Sequence, residues 1–471
     1  MTPVLRRPAR IPAFAFVALG VAVALRLGGC AAPYQAPICA IYPDRVAVAD
    51  STIRVALGDD VTPKHLHSPR TDAERVVFRH FYEGLVELDC EGTPRPALAR
   101  SWSPSSDFSE WTFELDGDRR FADGGAVIAQ DVKDAWARTR RVARERTSRA
   151  ALWENVRLKN ITANDRRLTI RLDSPDPDFA AHLAHPEFLV TREGAPWPLG
   201  TRGLRVRDET RGGVRFVSGA PVTSGERVAH PGVEFRIQPG TNPRDTFTDE
   251  VHVLLSRDRA AVEHIASQPG LRVPEPLPWS RLYLYFDPAG PGLGDDPIHQ
   301  VRVDLSRDVL GSLASPADSY WLDPAEPPEP ARGDPSLSAV QTPAPFGGAV
   351  WCAPGDPDAR AIAERLASLR SRDGSRVPVE IAPTRRRFDE QLSGPGVAGR
   401  GFVVRVDREI AGAVAQEDHL AARLPGGRLR VTPLVKTRSV LLVRARLTGV
   451  VVGYDGVPRF DTAGWAKERS L

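Results

Sequence analysis

This 471-residue chain lacks most of the residue patterns that mark enzyme or metal sites. It holds four cysteines, and none of them lies in a Cys-x-x-Cys or Cys/His arrangement with the spacing of a zinc site. It also has no Gly-x-Ser-x-Gly sequence and no Walker A sequence. These absences argue against a zinc protein, a serine hydrolase and a nucleotide-binding enzyme. We therefore expect no catalytic residues, no metal and no cofactor.

The ten histidines are scattered along the chain. His182 and His185 are three residues apart on a predicted helix, with Glu187 close by, and such a pair could in principle hold a metal ion. The His-Glu-x-x-His order of metalloproteases is absent, however. Isolated surface histidines are the better interpretation.

The N-terminus has the pattern of an export signal. Three arginines within the first ten residues precede an apolar run at 11–25, and small residues lead to Cys30. This is typical of a secretory signal, and its end resembles a bacterial lipobox. We expect residues 1–29 to be a lipoprotein signal peptide, Cys30 to be lipidated, and residues 30–50 to be a tether. An uncleaved anchor helix is the alternative, although the apolar run is short for one. Either way, the protein is expected to be exported and held at a membrane.

The charge balance gives no case for nucleic-acid binding. Loss of residues 1–29 would leave 59 basic and 60 acidic residues, which is nearly neutral. With Cys30 lipidated, Cys39, Cys90 and Cys352 can form at most one disulfide, which an exported protein can keep. The sequence does not select the pair.

The stretch at 78–136 has the most regular pattern. Just before it, Thr71 and Glu74 have capping-box spacing, which predicts a helix start. Trp111, Phe113 and Leu115 alternate with polar residues, which predicts a strand with these three side chains facing inward. A turn at 123–125 leads into a second predicted helix from Ala129. Together these patterns indicate a small α/β unit in which nearly every residue is structural.

The same stretch resembles the signature of the family 5 extracellular solute-binding proteins, the dipeptide- and oligopeptide-binding components of ABC importers. The matching segments are Phe81-Tyr82-Glu83-Gly84-Leu85, Pro96-Ala97-Leu98-Ala99-Arg100-Ser101-Trp102, Trp111-Thr112-Phe113-Glu114-Leu115 and Phe121-Ala122-Asp123-Gly124-Gly125. Their order and spacing agree with the family. The resemblance implies an α/β, two-lobed periplasmic-binding-protein fold of the large peptide-binding type (class II-like), with mixed sheets and flanking helices. It also implies hinge closure around a ligand.

The resemblance further implies a division of the mature chain. The first lobe is expected at 51–275, with the signature subdomain at about 71–190, and the second lobe at 276–430. Residues 431–471 are expected to return to the first lobe. From the residues themselves we predict strands at 52–57, 168–172 and 282–286, a helix at 358–370, and one central strand in the apolar run 441–452.

Five residues are candidates for ligand binding: Tyr82, Glu83, Trp279, Trp321 and Asp323. A peptide cleft needs aromatic walls, and it needs a carboxylate for the free amino group of the ligand. Trp279 and the Trp321–Asp323 pair meet this description, although packing in a core or loop is an alternative for them. Tyr82 and Glu83 belong to the turn that lies near the cleft in the family, and a structural use is an equal alternative.

The predicted function is solute capture outside the cytoplasm, with delivery of a peptide or other small molecule to an ABC permease. The protein is expected to be a monomer, anchored through its N-terminal lipid, with no nucleic-acid partner and no enzymatic activity. One alternative is a surface lipoprotein that keeps the fold as a structural or interaction module; an exported hydrolase is a more distant one. A cleft filled by the protein's own side chains would favour the structural module.

Overall fold

The computed structural model describes residues 39, 52–144, 153, 155–221, 232–272, 275–286, 295–317, 349–370, 377–393, 400–407 and 431–465. The predicted signal peptide, Cys30, most of the tether, Trp321 and Asp323 lie outside these residues.

The first large sheet has seven strands. Its centre is Ile53–Leu57 (β1), as the sequence predicts, and β1 pairs in parallel with Val233–Ile237 (β10) and Val253–Ser256 (β11). Four further strands extend the sheet on either side: Leu204–Arg211 (β8), Val214–Pro221 (β9), Glu275–Pro276 (β12) and Val440–Val443 (β19). The order across the sheet is β12-β19-β11-β1-β10-β9-β8.

The helix Asp72–Phe81 (α1) packs into the core of this sheet and begins where the sequence predicts. Thr71 caps it, because its hydroxyl accepts a hydrogen bond from Glu74 N at 3.1 Å. The Glu74 carboxylate does not return to Thr71 as in a full capping box. It accepts bonds from Arg70 N at 2.7 Å and Thr62 N at 3.1 Å. The same side chain therefore fixes the loop that precedes the helix.

The signature stretch forms a separate four-stranded sheet with its own core. The strands are Ala99–Pro104 (β4), Glu110–Leu115 (β5), Val156–Asn164 (β6) and Arg167–Leu172 (β7), in the order β4-β5-β7-β6. Trp111, Phe113 and Leu115 are buried on one face of β5, which confirms the predicted strand and its inward side. The helix Ala129–Arg144 (α2) packs on that face through Val132 and Trp136.

The second large sheet has six strands in the order β14-β18-β13-β17-β15-β16. Its bounds are Arg281–Phe286 (β13), Ala314–Pro316 (β14), Val350–Cys352 (β15), Val379–Ile381 (β16), Gly401–Asp407 (β17) and Val431–Thr437 (β18). The alternation at 282–286 predicts a strand, and β13 confirms it. Both of its faces are buried, however: Leu282 and Leu284 lie in one core, and Tyr283 and Tyr285 lie in another.

The remaining elements are shorter or lie on the outside of the sheets. The helices are Phe179–His182 (α3), Pro243–Thr246 (α4), Arg259–Ala266 (α5), Asp295–Asp304 (α6), Pro357–Arg370 (α7) and Arg385–Ser393 (α8). The short strand pairs are Val86–Leu88 (β2) with Pro94–Pro96 (β3), Leu447–Thr448 (β20) with Gly464–Trp465 (β23), and Val451–Val452 (β21) with Pro458–Arg459 (β22). The predicted helix at 358–370 is confirmed as α7.

The prediction of one strand over 441–452 is wrong. After β19 the chain turns at 444–446, and Gly449 has a φ of 74°, which an extended strand does not permit. The apolar residues beyond this turn pair with the C-terminal segment as β20 and β21 instead. The run is apolar throughout because several short strands, and not one long strand, are buried here.

The predicted lobe boundaries remain predictions, but strand pairing shows where the chain changes sheets. It leaves the seven-stranded sheet after β12 and enters the six-stranded sheet at β13, so this crossing is 277–280. It returns between β18 and β19, at 438–439. The segment 431–437 therefore belongs to the second sheet, and the return begins later than the predicted residue 431.

One disulfide links Cys39 to Cys90, while Cys352 is a buried free thiol. Burial raises the pKa of the Cys352 thiol to about 11, so it stays protonated at neutral pH. The disulfide ties Cys39, the first described residue, to the β2–β3 hairpin. Among the described helices, none combines the length and apolar character that crossing a membrane requires.

The core of the signature sheet gives a direct stability test. Phe113 is 0% exposed, so Phe113→Ala removes a large buried side chain and should cost about 3–5 kcal/mol of unfolding free energy. Phe108→Ala is the matched control, because Phe108 is 38% exposed at a neighbouring turn. Urea denaturation measures both. Equal losses for the two variants would show that the inward face of β5 is misassigned.

Candidate functional site: a charged cluster between the two sheets

Two short segments connect the large sheets, and they run side by side. Leu277 N donates to Ser439 O at 3.0 Å, and Ser280 N donates to Thr437 O at 3.1 Å. The crossings at 277–280 and 438–439 thus form a two-stranded connection. A pair of short segments that links two compact layers is the geometry of a hinge.

The carboxyl ends of parallel strands from both sheets meet beside this hinge. Asp59 follows β1 and Arg257 follows β11 in the first sheet, while Asp356 follows β15 in the second. Ligands of open α/β sheets bind outside such strand ends. We call the charged side chains gathered here the interlobe cluster: Asp59, Asp72, Arg257, Arg281, Tyr283, Asp356, Asp358 and Arg405.

Several contacts in the interlobe cluster connect one sheet with the other. Arg257 Nη1 lies 3.2 Å from Asp358 Oδ2, at the start of α7. Arg405 on β17 donates from Nη2 to Arg70 O at 3.0 Å, just before α1. Arg281, the first residue of β13, forms an ion pair with Asp72 in the first turn of α1.

The anions of the second sheet are fixed from within that sheet. Arg405 Nη1 donates to Asp356 Oδ2 at 3.0 Å. The Tyr283 hydroxyl donates to Asp356 Oδ1 at 3.0 Å and lies 3.4 Å from Asp358 Oδ2. Burial, together with these two carboxylates, raises the pKa of Tyr283 well above its ordinary value. The phenol therefore acts here as a hydrogen-bond donor.

Burial and pairing set the charge states. Burial alone would raise the pKa of Asp72, but the guanidinium groups of Arg281 and Arg257 more than offset it and hold this pKa far below its usual range. For Asp59 the balance is reversed, because burial outweighs Arg257 and the pKa is raised. Arg257 stays charged, since Asp358 and Asp72 overcome its own burial.

Two small cavities lie near the cluster and α1. The cavity beside the cluster, lined by Asp72, Arg75, Leu277 and Ser439 among others, has a volume of about 10 Å³. A second cavity near Phe78 and Arg79 has about 20 Å³. Each holds roughly one water molecule. Neither of these two cavities admits a peptide.

Tyr82 and Glu83, two predicted ligand residues, lie inside the first lobe. Tyr82 is 1% exposed, and its hydroxyl donates to Pro198 O at 3.0 Å. Glu83 is 5% exposed and accepts hydrogen bonds from Thr201 Oγ1 at 3.0 Å and Arg119 Nη1 at 3.3 Å. Both side chains thus have structural partners, and a ligand role for them stays a prediction.

Trp279 lies in the first hinge segment. The guanidinium of Arg438, from the second hinge segment, lies 4.2 Å from the centre of its ring. Trp279 thus joins the two crossings, and its contact with a ligand stays a prediction. Trp321 and Asp323 lie outside the described residues, so the structure brings none of the five candidates together as a site.

The sequence analysis missed the interlobe cluster altogether. Its residues are separated by up to 346 positions, from Asp59 to Arg405. The available signal was a charged residue directly after a predicted strand, as with Asp59 after 52–57. Charged residues are common in loops, so this signal does not show which residues pair with each other.

The two histidines weighed as a metal pair have other partners. His182 Nδ1 lies 2.9 Å from Asp176 Oδ2, and His185 Nδ1 accepts a hydrogen bond from Glu187 N at 3.1 Å. Across the ranges that the structure describes, no three His, Cys, Asp or Glu side chains gather as a metal site needs.

Comparison with known proteins agrees with this architecture. Residues 93–226 match the model of "Bacterial extracellular solute-binding proteins, family 5 Middle". The oligopeptide-binding protein OppA of Escherichia coli is 34% identical over 124 residues, which cover 26% of this chain and 22% of OppA. Residues 93–226 are thus similar to the family 5 extracellular solute-binding proteins. The aligned stretch spans only about a fifth of the length of this curated relative.

Solved structures extend the likeness over nearly the whole chain. The substrate-binding domain of an oligopeptide ABC transporter from Bacillus anthracis has a TM-score of 0.66 at 12% identity, covering 90% of this chain and all of that one. The murein tripeptide binding protein MppA of Escherichia coli also scores 0.66, at 17% identity and the same coverage. These likenesses confirm the two-lobed α/β periplasmic-binding-protein fold.

The pairing of Asp72 predicts a pH effect. Because its pKa is lower in the folded protein, its contribution to stability is complete above about pH 4 and is lost as the pH falls through the folded pKa. Asp72→Asn leaves Arg281 buried without its anion and should cost roughly 3–5 kcal/mol at pH 7. The loss should shrink below pH 4. Urea denaturation across the pH range measures it, and a pH-independent loss would contradict the charge assignment.

Proposed function

We propose that this protein is an exported lipoprotein that captures a peptide-like solute between its two lobes and delivers it to an ABC permease, without catalysing a reaction. Cys30 anchors it to a membrane through lipid, and the protein works as a monomer. Capture requires the hinge at 277–280 and 438–439 to open, because the lobes now meet at the interlobe cluster.

The observation that carries this proposal is the meeting of strand ends from both sheets beside a two-stranded hinge. Buried polar groups at that position suit a charged solute. Arg281 is 1% exposed, and its Nη1 has no hydrogen-bond partner among the described residues. A carboxylate oxygen of a solute would satisfy this donor.

The relatives support a peptide-like ligand. Among proteins similar to this chain are OppA and a glutathione-binding protein, GsiB, from Escherichia coli. The fold alone does not define the ligand, because a NikA structure from Brucella suis in complex with Fe(III)-EDTA is similarly close, with a TM-score of 0.64. Peptides are favoured because the sequence matches include proteins named as oligopeptide-, dipeptide- and glutathione-binding.

The second candidate function is a lipoprotein that keeps the fold as a structural or interaction module. The small cavity beside the cluster, about 10 Å³ in volume, favours it, because a module without a ligand has no need of a cleft. The two candidates differ in one property: only a solute-binding protein gains stability from a small molecule.

Thermal unfolding with and without solute distinguishes them. The probes are a mixture of di- to pentapeptides, glutathione and nickel with histidine, each over a concentration series. A true ligand at a hundredfold excess over its Kd adds about 3 kcal/mol of stability and raises the Tm in a dose-dependent way. Peptides or glutathione should do so, and nickel with histidine should not. No shift with any probe would favour the structural module.

The lipid anchor has its own test. Cys30→Ser removes the thiol that accepts the lipid, so the protein should leave the membrane fraction. Cys352→Ser is the matched control, because this buried thiol has no role in anchoring. Mass spectrometry of the N-terminus checks lipidation directly. Unchanged fractionation of Cys30→Ser with residues 1–29 still attached would show that an uncleaved helix is the anchor.

A further inference from the structure

We propose that this protein closes without a solute, through a latch of two arginine contacts that cross between the lobes in opposite directions. The latch consists of Arg257 with Asp358, and of Arg405 with the carbonyl of Arg70. It requires only two lobes and a hinge, so it is independent of whether a solute is captured.

The first latch contact reaches from the seven-stranded sheet to the six-stranded one. Arg257 directly follows β11, and its Nη1 lies 3.2 Å from Asp358 Oδ2 at the start of α7. The two side chains are 17% and 13% exposed. The attraction between two charges this far removed from water exceeds that of a surface pair. Salt weakens the latch by stabilising the charges that opening exposes to solvent.

The second latch contact reaches the other way. Arg405 on β17 donates through Nη2 to Arg70 O at 3.0 Å, next to the N-terminus of α1. Its other nitrogen, Nη1, is fixed by Asp356 at 3.0 Å. Because Asp356 also accepts from Tyr283, the guanidinium is aimed at the first lobe by groups of its own lobe.

Neither contact is forced by the chain connection. Arg281 and Asp72 also pair, but Arg281 comes directly after the hinge segment and is not counted in the latch. Arg257 and Asp358 are 101 positions apart, and Arg405 and Arg70 are 335 apart. Opening the hinge must break both contacts, so each contributes to holding the lobes closed.

The latch has a consequence for ligand binding. A solute reaches the space between the sheets only in the open state, so its apparent affinity falls by the fraction of molecules that are open. Charge screening weakens the latch and raises that fraction. The protein should therefore open more readily as the ionic strength rises. A protein whose closure depends only on a ligand would show no such opening with salt.

Electron–electron resonance distances on the full-length chain test the latch. Spin labels are placed on cysteines that replace Glu263, one turn into α5, and Glu364, two turns into α7; both positions are exposed. In solute-free wild-type protein at about 0.02 M salt one short distance should dominate, and at about 0.5 M a longer population should appear. Arg257→Gln with Arg405→Gln should raise the longer population at least about fivefold at low salt.

The control is Arg171→Gln, which removes one arginine charge from an exposed pair with Glu110 inside one lobe, and it should leave the distances unchanged. Where the double variant fails to fold, a charge reversal at Arg257 and a charge exchange between Arg257 and Asp358 replace it. Arg257→Asp should lengthen the distance, and adding Asp358→Arg should restore the short one. The latch would be overturned if the same single label-to-label distance were found in the wild type and the variants at both salt concentrations. A solute-free wild type that already shows the longer distance at low salt would also overturn it.

Discussion

Charges removed from water between two sheets must be paired, and much of this molecule depends on how that pairing is achieved. An unpaired buried aspartate or arginine would cost several kcal/mol. Here the first sheet supplies Asp72 and Arg257, and the second supplies Arg281, Arg405, Asp356 and Asp358. Two of the ion pairs cross the contact, because Arg257 pairs with Asp358 and Arg281 pairs with Asp72. The two lobes are therefore complementary to each other, which makes their contact specific and sensitive to pH and salt.

The signature stretch contributes stability at a distance from this contact. Glu83 is held by Arg119 and Thr201, and Arg202 beside it lies 2.8 Å from Asp461 in the C-terminal segment. The loop that carries Thr201 approaches closely, since a Cβ at Gly200 would lie 2.3 Å from Phe81 O. The residues of the signature stretch thus help to assemble the first lobe and tie the C-terminal segment to it.

Local patterns predicted the local structure well. The alternation around Phe113 and the cap at Thr71 depend on neighbours a few residues away, and both are found. The strand at 282–286 is also found, but burial of Tyr283 on its other face depends on α7 and could not be read from alternation. The run 441–452 failed for a similar reason, because its partners lie elsewhere in the chain. The interlobe cluster is the extreme case, since pairing of Arg257 with Asp358 follows from the placement of two whole sheets.

Hydrogen exchange on the full-length chain tests most directly whether paired charges hold two lobes about a hinge. At low and high salt, the exchange rates of amides in the hinge and at the cluster-facing ends of β11 and β17 are compared with those in β5, inside the signature core. Exchange at the hinge and strand ends should accelerate with salt, while β5 keeps its rate. Uniform acceleration would indicate general destabilisation, and no change in either region would show that the two sheets form one rigid body.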